Sequence, residues 1–341
     1  MTASAEASEE SIMIVDIYIR PWESPDQLGQ KAAQRIRNIQ KTPWQRTNTT
    51  TQAFKEAIQP IDLGVILGLA PVADQKNTGL SNQQVAKIVE IAPEKLIGFA
   101  GVNPINTDLD QALASIKACD LQGVVINPAL HGFHPSHTDA YRLYEKCQTL
   151  KLPIIFDNAE IFSAVGQLAF GDPLLIDSIA SDFPNLKIVI AQMGQPFTDH
   201  CLAMLGRHAH VYADISAVGS RSWDLYQVLI AAYQRNVIDK IIMGSNYPFD
   251  TPAQVIHQLL TVSSLANGTG LPTIPRELLR LITESNITQY LGLKQVTSQP
   301  SQEKILEAPP QPKAIDLNPA EASQLLDVAV QPEKVGSIEN T

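Results

Sequence analysis

The sequence predicts an α/β protein, and specifically a (β/α)8 TIM barrel with disordered termini. Short apolar runs alternate with helix-length amphipathic segments from Ile12 onward, and eight such pairs follow one another along the chain. Most of the apolar runs end in a polar residue, Pro or Gly. This alternation is typical of parallel strands joined by crossover helices, and eight repeats are the number that closes a barrel.

The predicted strands follow this pattern in chain order. They are Ile12–Arg20, Gly64–Leu69, Leu96–Asn103, Gly123–Asn127, Ile154–Asp157, Lys187–Gln192, His210–Asp214 and Lys240–Ser245.

The domain prediction places one barrel between two tails. With 341 residues and 44% hydrophobic content, the chain can bury a large core. Residues 1–11 form a predicted disordered tail, residues 12–294 the barrel, and residues 295–341 a disordered tail rich in Pro, Gln and Glu. Within that second tail, the segment 318–330 has an N-cap, a proline at the first helical position and clustered apolar residues, as a helix that binds a protein partner would. Chance apolar residues in a linker are the alternative.

The charge and the absence of long apolar runs limit the partners. The formal net charge is −10, much of it at the two ends, which argues against nucleic acid and anionic membranes as partners. No run of eighteen or more apolar residues occurs, and residues 1–11 are acidic where a signal peptide is basic and then apolar. We therefore expect a cytoplasmic protein.

The first predicted strand places polar side chains inside the barrel. Asp16, Tyr18 and Arg20 alternate with an apolar face that begins at Met13. Since functional residues in these barrels lie at the carboxyl ends of strands, one group of polar side chains should meet at one mouth of the barrel. Its members are Tyr18, Arg20, Asp157, Gln192 and Asn246.

Several segments, taken in chain order, resemble those of a known protein family. They are Ile14–Pro21, Gly98–Pro104, Gly123–Pro128, Leu152–Asp157, Phe183–Gly194, Val211–Ser216, Gly244–Pro248 and Glu284–Gly292. Together they resemble the amidohydrolase-related family, which includes relatives of aminocarboxymuconate-semialdehyde decarboxylase and pyrone-dicarboxylate lactonase. The resemblance implies a TIM barrel, a hydrolase-type activity and a metal ion.

The residues that would hold this metal ion are substituted. The resemblance implies His at positions 18, 20, 157 and 192 and Asp at position 246, and none of these types is present. Arg20 is the strongest obstacle, because a guanidinium about 4 Å from a dication is repelled by roughly 8 kcal/mol at an effective dielectric constant of 20. We therefore predict that no metal is bound by these residues and that no cofactor is required.

In place of the metal, the sequence suggests an internal ion pair. We expect Arg20 and Asp157 to pair across the mouth, supported by amide hydrogen bonds from Gln192 and Asn246. Tyr18, Arg20, Asp157, Gln192 and Asn246 are the predicted ligand-binding residues. Asp157, Asp214 and Arg20 are the candidates for catalysis, with Asp214 at the end of the seventh strand.

Three functions remain open from the sequence. The first is a catalytically degenerate barrel, a pseudoenzyme, that binds a small molecule or a partner. The second is a metal-independent hydrolase or lactonase acting on a small carboxylated substrate. The third is a metal-dependent hydrolase or decarboxylase with relocated ligands, in which His131, His134 and His137 join Asp157 around zinc or another divalent ion. The family resemblance alone also suggests a homodimer.

Overall fold

A computed structural model describes residues 13–294 except 23, 29, 31–32, 35–49, 72–78, 106, 159–165 and 285. Contacts divide the chain into one unit of residues 1–302 and another of Glu303–Thr341, and all described residues belong to the first unit. The two predicted disordered tails and the segment 318–330 lie outside the described residues. In the described part of the chain, no helix has the length and apolar character needed to span a bilayer.

Eight parallel strands form the sheet, in the order β1 to β8, so the predicted TIM barrel is confirmed. Their bounds are β1 Val15–Ile19, β2 Leu63–Leu67, β3 Leu96–Gly101, β4 Gly123–Ile126, β5 Ile154–Phe156, β6 Ile188–Ile190, β7 Val211–Asp214 and β8 Ile241–Ile242. The last strand returns to the first, because the Ile17 amide donates to the Met243 carbonyl at 3.0 Å and a parallel bridge joins Ile19 to Tyr247.

Helices follow the strands around the barrel. The α-helices of the described residues are Thr51–Ala57, Asn82–Val89, Leu109–Ala118, Pro128–His131, Thr138–Leu150, Asp177–Asp182, Thr198–Arg207, Ser222–Gln234, Pro252–Thr261, Arg276–Thr283 and Ile287–Leu291. Short 3-10 helices lie at Pro25–Leu28, Leu168–Gly171, Pro173–Ile176, Ala191–Gly194, Ile238–Lys240 and Val262–Ala266.

Two apolar clusters show where the core lies. One contains a buried residue from each of the eight strands, such as Leu63, Val125 and Ile155, and therefore fills the barrel interior. Ile287, Leu291 and Leu293, from the last helix and its end, pack into the same cluster. The second cluster lies between the strands and the helices and includes the alternate strand residues.

The first strand does not alternate as predicted. Its register shifts between Asp16 and Ile19, as at a β-bulge, and Ile17 and Tyr18 both pack in the interior cluster, while Ile19 packs in the outer one. Asp16 is paired with Gly64, and a Cβ added to Gly64 would point at side chains of the cluster between the strands and the helices. Asp16 therefore lies on the helix-facing side of the sheet. The prediction that Asp16 shares a face with Tyr18 is therefore wrong, because one extra residue reverses the period of two.

Candidate functional site

The predicted mouth residues stand at the carboxyl ends of their strands. Tyr18 belongs to β1, and Arg20 directly follows this strand. Asp157 directly follows β5. Gln192 follows β6 with φ 58°, and Asn246 follows β8 with φ 59°, so both adopt left-handed backbone conformations that turn the chain sharply. The parallel order of the barrel therefore brings distant parts of the sequence to one end.

Arg20 and Asp157 form the predicted ion pair. Arg20 Nη2 donates to Asp157 Oδ2 at 2.9 Å, and the two side chains are 5% and 0% exposed. Arg20 Nε also donates to the Leu67 carbonyl at 3.4 Å. Burial disfavours the charged guanidinium, but Tyr18 and Asp157 more than offset this effect, so the pKa of Arg20 lies above its ordinary value. Arg20 therefore remains a cation inside the mouth.

The Tyr18 hydroxyl joins the two partners of this ion pair. It donates to Asp157 Oδ1 at 2.9 Å and accepts hydrogen bonds from Arg20 Nη1 at 3.1 Å and Gln192 Nε2 at 3.3 Å. One donated and two accepted bonds use the full capacity of a hydroxyl group. Burial, together with the charge of Asp157, raises the pKa of Tyr18 well above its ordinary value. Tyr18 is therefore a neutral bridge.

One of the two predicted amides, Gln192, joins the network around the ion pair. Gln192 donates to the Tyr18 hydroxyl, as described above. The side chain of Asn246 is half-buried and makes no hydrogen bond to any residue in the described part of the chain. Its backbone amide instead donates to the Tyr18 carbonyl at 3.1 Å. The predicted hydrogen bond from the Asn246 side chain is wrong, because the left-handed turn uses this residue through its backbone.

Asp214 lies beside this network. Its Oδ1 accepts from the backbone amides of Gln192 at 3.1 Å and Ser216 at 2.8 Å, and so it fixes the two turns that follow β6 and β7. Among the described residues, its Oδ2 has no hydrogen-bond partner of ordinary geometry, and the same is true of the buried Ser216 hydroxyl beside it. Burial raises the pKa of Asp214 to about 6, and the charge of Asp157 adds to the shift. The structure thus gives Asp214 a backbone-organising role.

Asp16 plays a similar part at the bulge. Its Oδ1 accepts from the backbone amides of Tyr18 at 3.1 Å and Ser245 at 2.9 Å, which ties β1 to the segment after β8. Burial raises the pKa of Asp16 to about 7, although the hydrogen bonds from Ser245 and Tyr18 oppose the shift. This role could not be predicted from the sequence, because it depends on the bulge.

Comparison with known proteins supports a family assignment. A family model described as Amidohydrolase matches residues 21–293. The chain belongs to the amidohydrolase family. A comparison with functionally curated proteins gives no match.

Solved structures share the barrel of this amidohydrolase at low sequence identity. An uncharacterized TIM-barrel protein from Bordetella bronchiseptica is 18% identical, with a TM-score of 0.62 over 82% of this chain and 98% of that chain. A probable 2-pyrone-4,6-dicarboxylic acid hydrolase from Acinetobacter baumannii, solved with citric acid bound, is 16% identical, with a TM-score of 0.56 over 83% and 100%. A dihydroxybenzoic acid decarboxylase from Polaromonas sp., with bound manganese and the inhibitor 2-nitroresorcinol, is 15% identical, with a TM-score of 0.56 over 82% and 96%. At these identities the likeness shows the fold.

The three histidines after β4 do not form the relocated metal site in this amidohydrolase. The His134 and His137 side chains are exposed, and Nδ1 of each accepts a backbone amide, from Ser136 and Asp139 respectively. His131 is turned toward the Ala70 carbonyl, 3.1 Å from its Nε2, and burial lowers its pKa. Within the described ranges, no group of three or more His, Cys, Asp or Glu residues could hold a metal ion. The described residues thus give no support to this alternative, and local capping uses two of the rings.

One mouth residue of the amidohydrolase was missed from the sequence. Asn127 directly follows β4 and is 2% exposed. Its Oδ1 caps the short helix Pro128–His131 by accepting the Leu130 amide at 2.9 Å, and its Nδ2 has no partner among the residues that the structure describes. The same rule that selected Asp157, a polar residue at a strand end, would have selected Asn127.

Proposed function

We propose that this amidohydrolase is catalytically degenerate and acts as a binding protein for a small molecule or a protein partner. The observation that carries the proposal is the distance of 2.9 Å between Arg20 Nη2 and Asp157 Oδ2 at the barrel mouth. A buried guanidinium bonded in this way supplies positive charge at the place where the family resemblance implies a metal ion.

The residues at this place do not fit a divalent ion. A dication needs several lone pairs directed at one point. Here Tyr18 is neutral and uses its lone pairs for Arg20 and Gln192, and both Asp157 oxygens already accept hydrogen bonds. Binding a dication would require Arg20 to leave its three acceptors. We therefore assign no reaction step to a metal in this protein.

Turnover assays test the proposal. Protein purified without a histidine tag would be incubated with 2-pyrone-4,6-dicarboxylate and with 2,6-dihydroxybenzoate, each with added manganese and with a chelator. We expect no turnover above the rate without protein in any arm. Manganese-dependent turnover that disappears in Asp157→Asn would contradict the proposal, since it would show a working metal centre.

A metal-independent hydrolase is the second candidate, and Asp214 favours it. A buried carboxyl group with a pKa of about 6 and an unpartnered Oδ2 beside Ser216 has the chemistry of a general base near neutral pH. Its complete burial opposes direct contact with a substrate. Turnover that survives the chelator and is lost in Asp214→Asn, with the fold intact, would select this candidate over the first.

A further inference from the structure

A cavity of about 200 Å³ lies outside the barrel mouth, between the helices Thr51–Ala57 and Asn82–Val89. Its floor and walls are largely apolar. They are formed by Trp22, Phe54, Leu80, Ile88 and Ile91, and the first three of these side chains are buried. A cavity of this size suits a single aromatic ring or a short aliphatic chain, because a cavity of about 150 Å³ already holds benzene.

Among the residues that the structure describes, one cationic group lines the cavity. Lys87 lies in the last turn of the helix Asn82–Val89 and is exposed. Within the described part of the chain, its ammonium group has neither an ion-pair partner nor a hydrogen bond. The neighbouring polar residue Gln84 is held in place by a capping box, in which its Oε1 accepts the Ser81 amide at 2.9 Å, and it carries no charge. Among the described lining residues, Lys87 is therefore the group whose positive charge can pair with an anion.

The cavity floor is rigidly held by the loops of the mouth. Trp22 packs edge-to-face on Phe249 at 5.1 Å, and Phe54 packs on Tyr247 at 5.4 Å. Both contacts connect the cavity floor with the segment after β8. A floor fixed in this way is a preformed surface, so a ligand would not have to order it on binding.

We propose that this cavity binds a small aromatic monocarboxylate, whose ring lies on Trp22 and Phe54 and whose carboxylate pairs with Lys87. An apolar pocket with one cationic group at its edge selects for an apolar body that carries one anionic group. By contrast, the cation of the mouth, Arg20, is already paired with Asp157. The proposed carboxylate site is thus separate from the barrel mouth.

Calorimetric titration of the full-length protein with benzoate tests this assignment, with benzyl alcohol as the uncharged probe. We expect benzoate to bind with a dissociation constant of about 1 mM or below. Lys87→Gln should weaken benzoate binding by up to about five-fold, the range of a partly exposed ion pair, and leave benzyl alcohol binding unchanged. Lys55→Gln is the matched control, because Lys55 also lies in the last turn of a helix, outside the cavity lining.

A second variant tests the location of the ring. Ile88→Trp should fill the cavity and abolish binding of both probes, with circular dichroism to verify the fold. The assignment is overturned if wild-type protein does not bind benzoate at 10-fold the expected dissociation constant, about 10 mM. It is equally overturned if Lys87→Gln and Lys55→Gln have the same effect, since that would indicate general surface charge.

Discussion

Arg20 Nη1 and Asp157 Oδ1 meet on the same atom, the hydroxyl oxygen of Tyr18, at 3.1 and 2.9 Å. The neutral Tyr18, from the strand that directly precedes Arg20, thus hydrogen-bonds to both partners of the ion pair. Buried charges are tolerated when they are paired and hydrogen-bonded, and here Arg20 and Asp157 pair with each other and both bond to Tyr18.

Removing one charge of the pair should destabilise the barrel strongly. Asp157→Ala leaves Arg20 buried without its anion, and we expect a loss of about 3–5 kcal/mol in the free energy of unfolding. The double variant Arg20→Met/Asp157→Leu should lose much less, because it removes both charges and keeps apolar volume. Urea unfolding of the single and double variants gives the comparison. Equal losses would mean that the pair contributes only packing.

The Tyr18 hydroxyl should contribute more to the free energy of unfolding than an exposed tyrosine hydroxyl does. Tyr18→Phe leaves the Arg20 and Gln192 donors without their acceptor, which should lower the free energy of unfolding by about 1–3 kcal/mol. Tyr141→Phe is the control, because its hydroxyl bonds to Asp182 at the surface. Chemical denaturation should show a clear loss for the first variant and almost none for the second.

Gly244 is required by the close packing around Tyr18. A Cβ at this position would lie 2.9 Å from Tyr18 Cβ and 3.1 Å from Ser216 Cβ. We expect Gly244→Ala to destabilise the protein by about 1–3 kcal/mol through overpacking. Gly206, in the helix Thr198–Arg207, has only a contact at 3.8 Å, so Gly206→Ala should stabilise by about 0.5–1 kcal/mol. Thermal melts of the two variants should move in opposite directions.

Stability should depend on pH through two buried carboxyl groups. The pKa values of Asp16 and Asp214 are raised from 3.8 to about 7 and about 6, so the folded protein holds protons that the unfolded chain releases. The stabilisation that these two protonated groups contribute to the free energy of unfolding is therefore complete below about pH 4 and is lost as the pH rises to about 7. Asp16→Asn keeps the acceptor for both amides and removes the titration. Unfolding measured from pH 4 to 8 should show a smaller decline for this variant than for wild type, and an unchanged decline would refute the assignment.

The fold and the ion pair could be predicted because both follow from the regular alternation of strands and helices along the sequence. The eight strands follow from repeated apolar runs, and the pairing of Arg20 with Asp157 follows from two strand ends that a barrel brings together. The roles of Asp16 and Asn246 could not be predicted in this way. The first depends on a bulge that shifts the register of β1, and the second on a left-handed turn that presents its backbone.

Equilibrium dialysis against manganese and zinc asks whether the Arg20 guanidinium takes the place of the metal ion that the family resemblance implies. The measurement would use untagged wild-type protein at neutral pH, with metal content determined after removal of free ions. We expect no tight binding of either ion and no difference between wild type and Asp157→Asn. About one tightly bound ion per chain in wild type, absent from Asp157→Asn, would contradict this expectation.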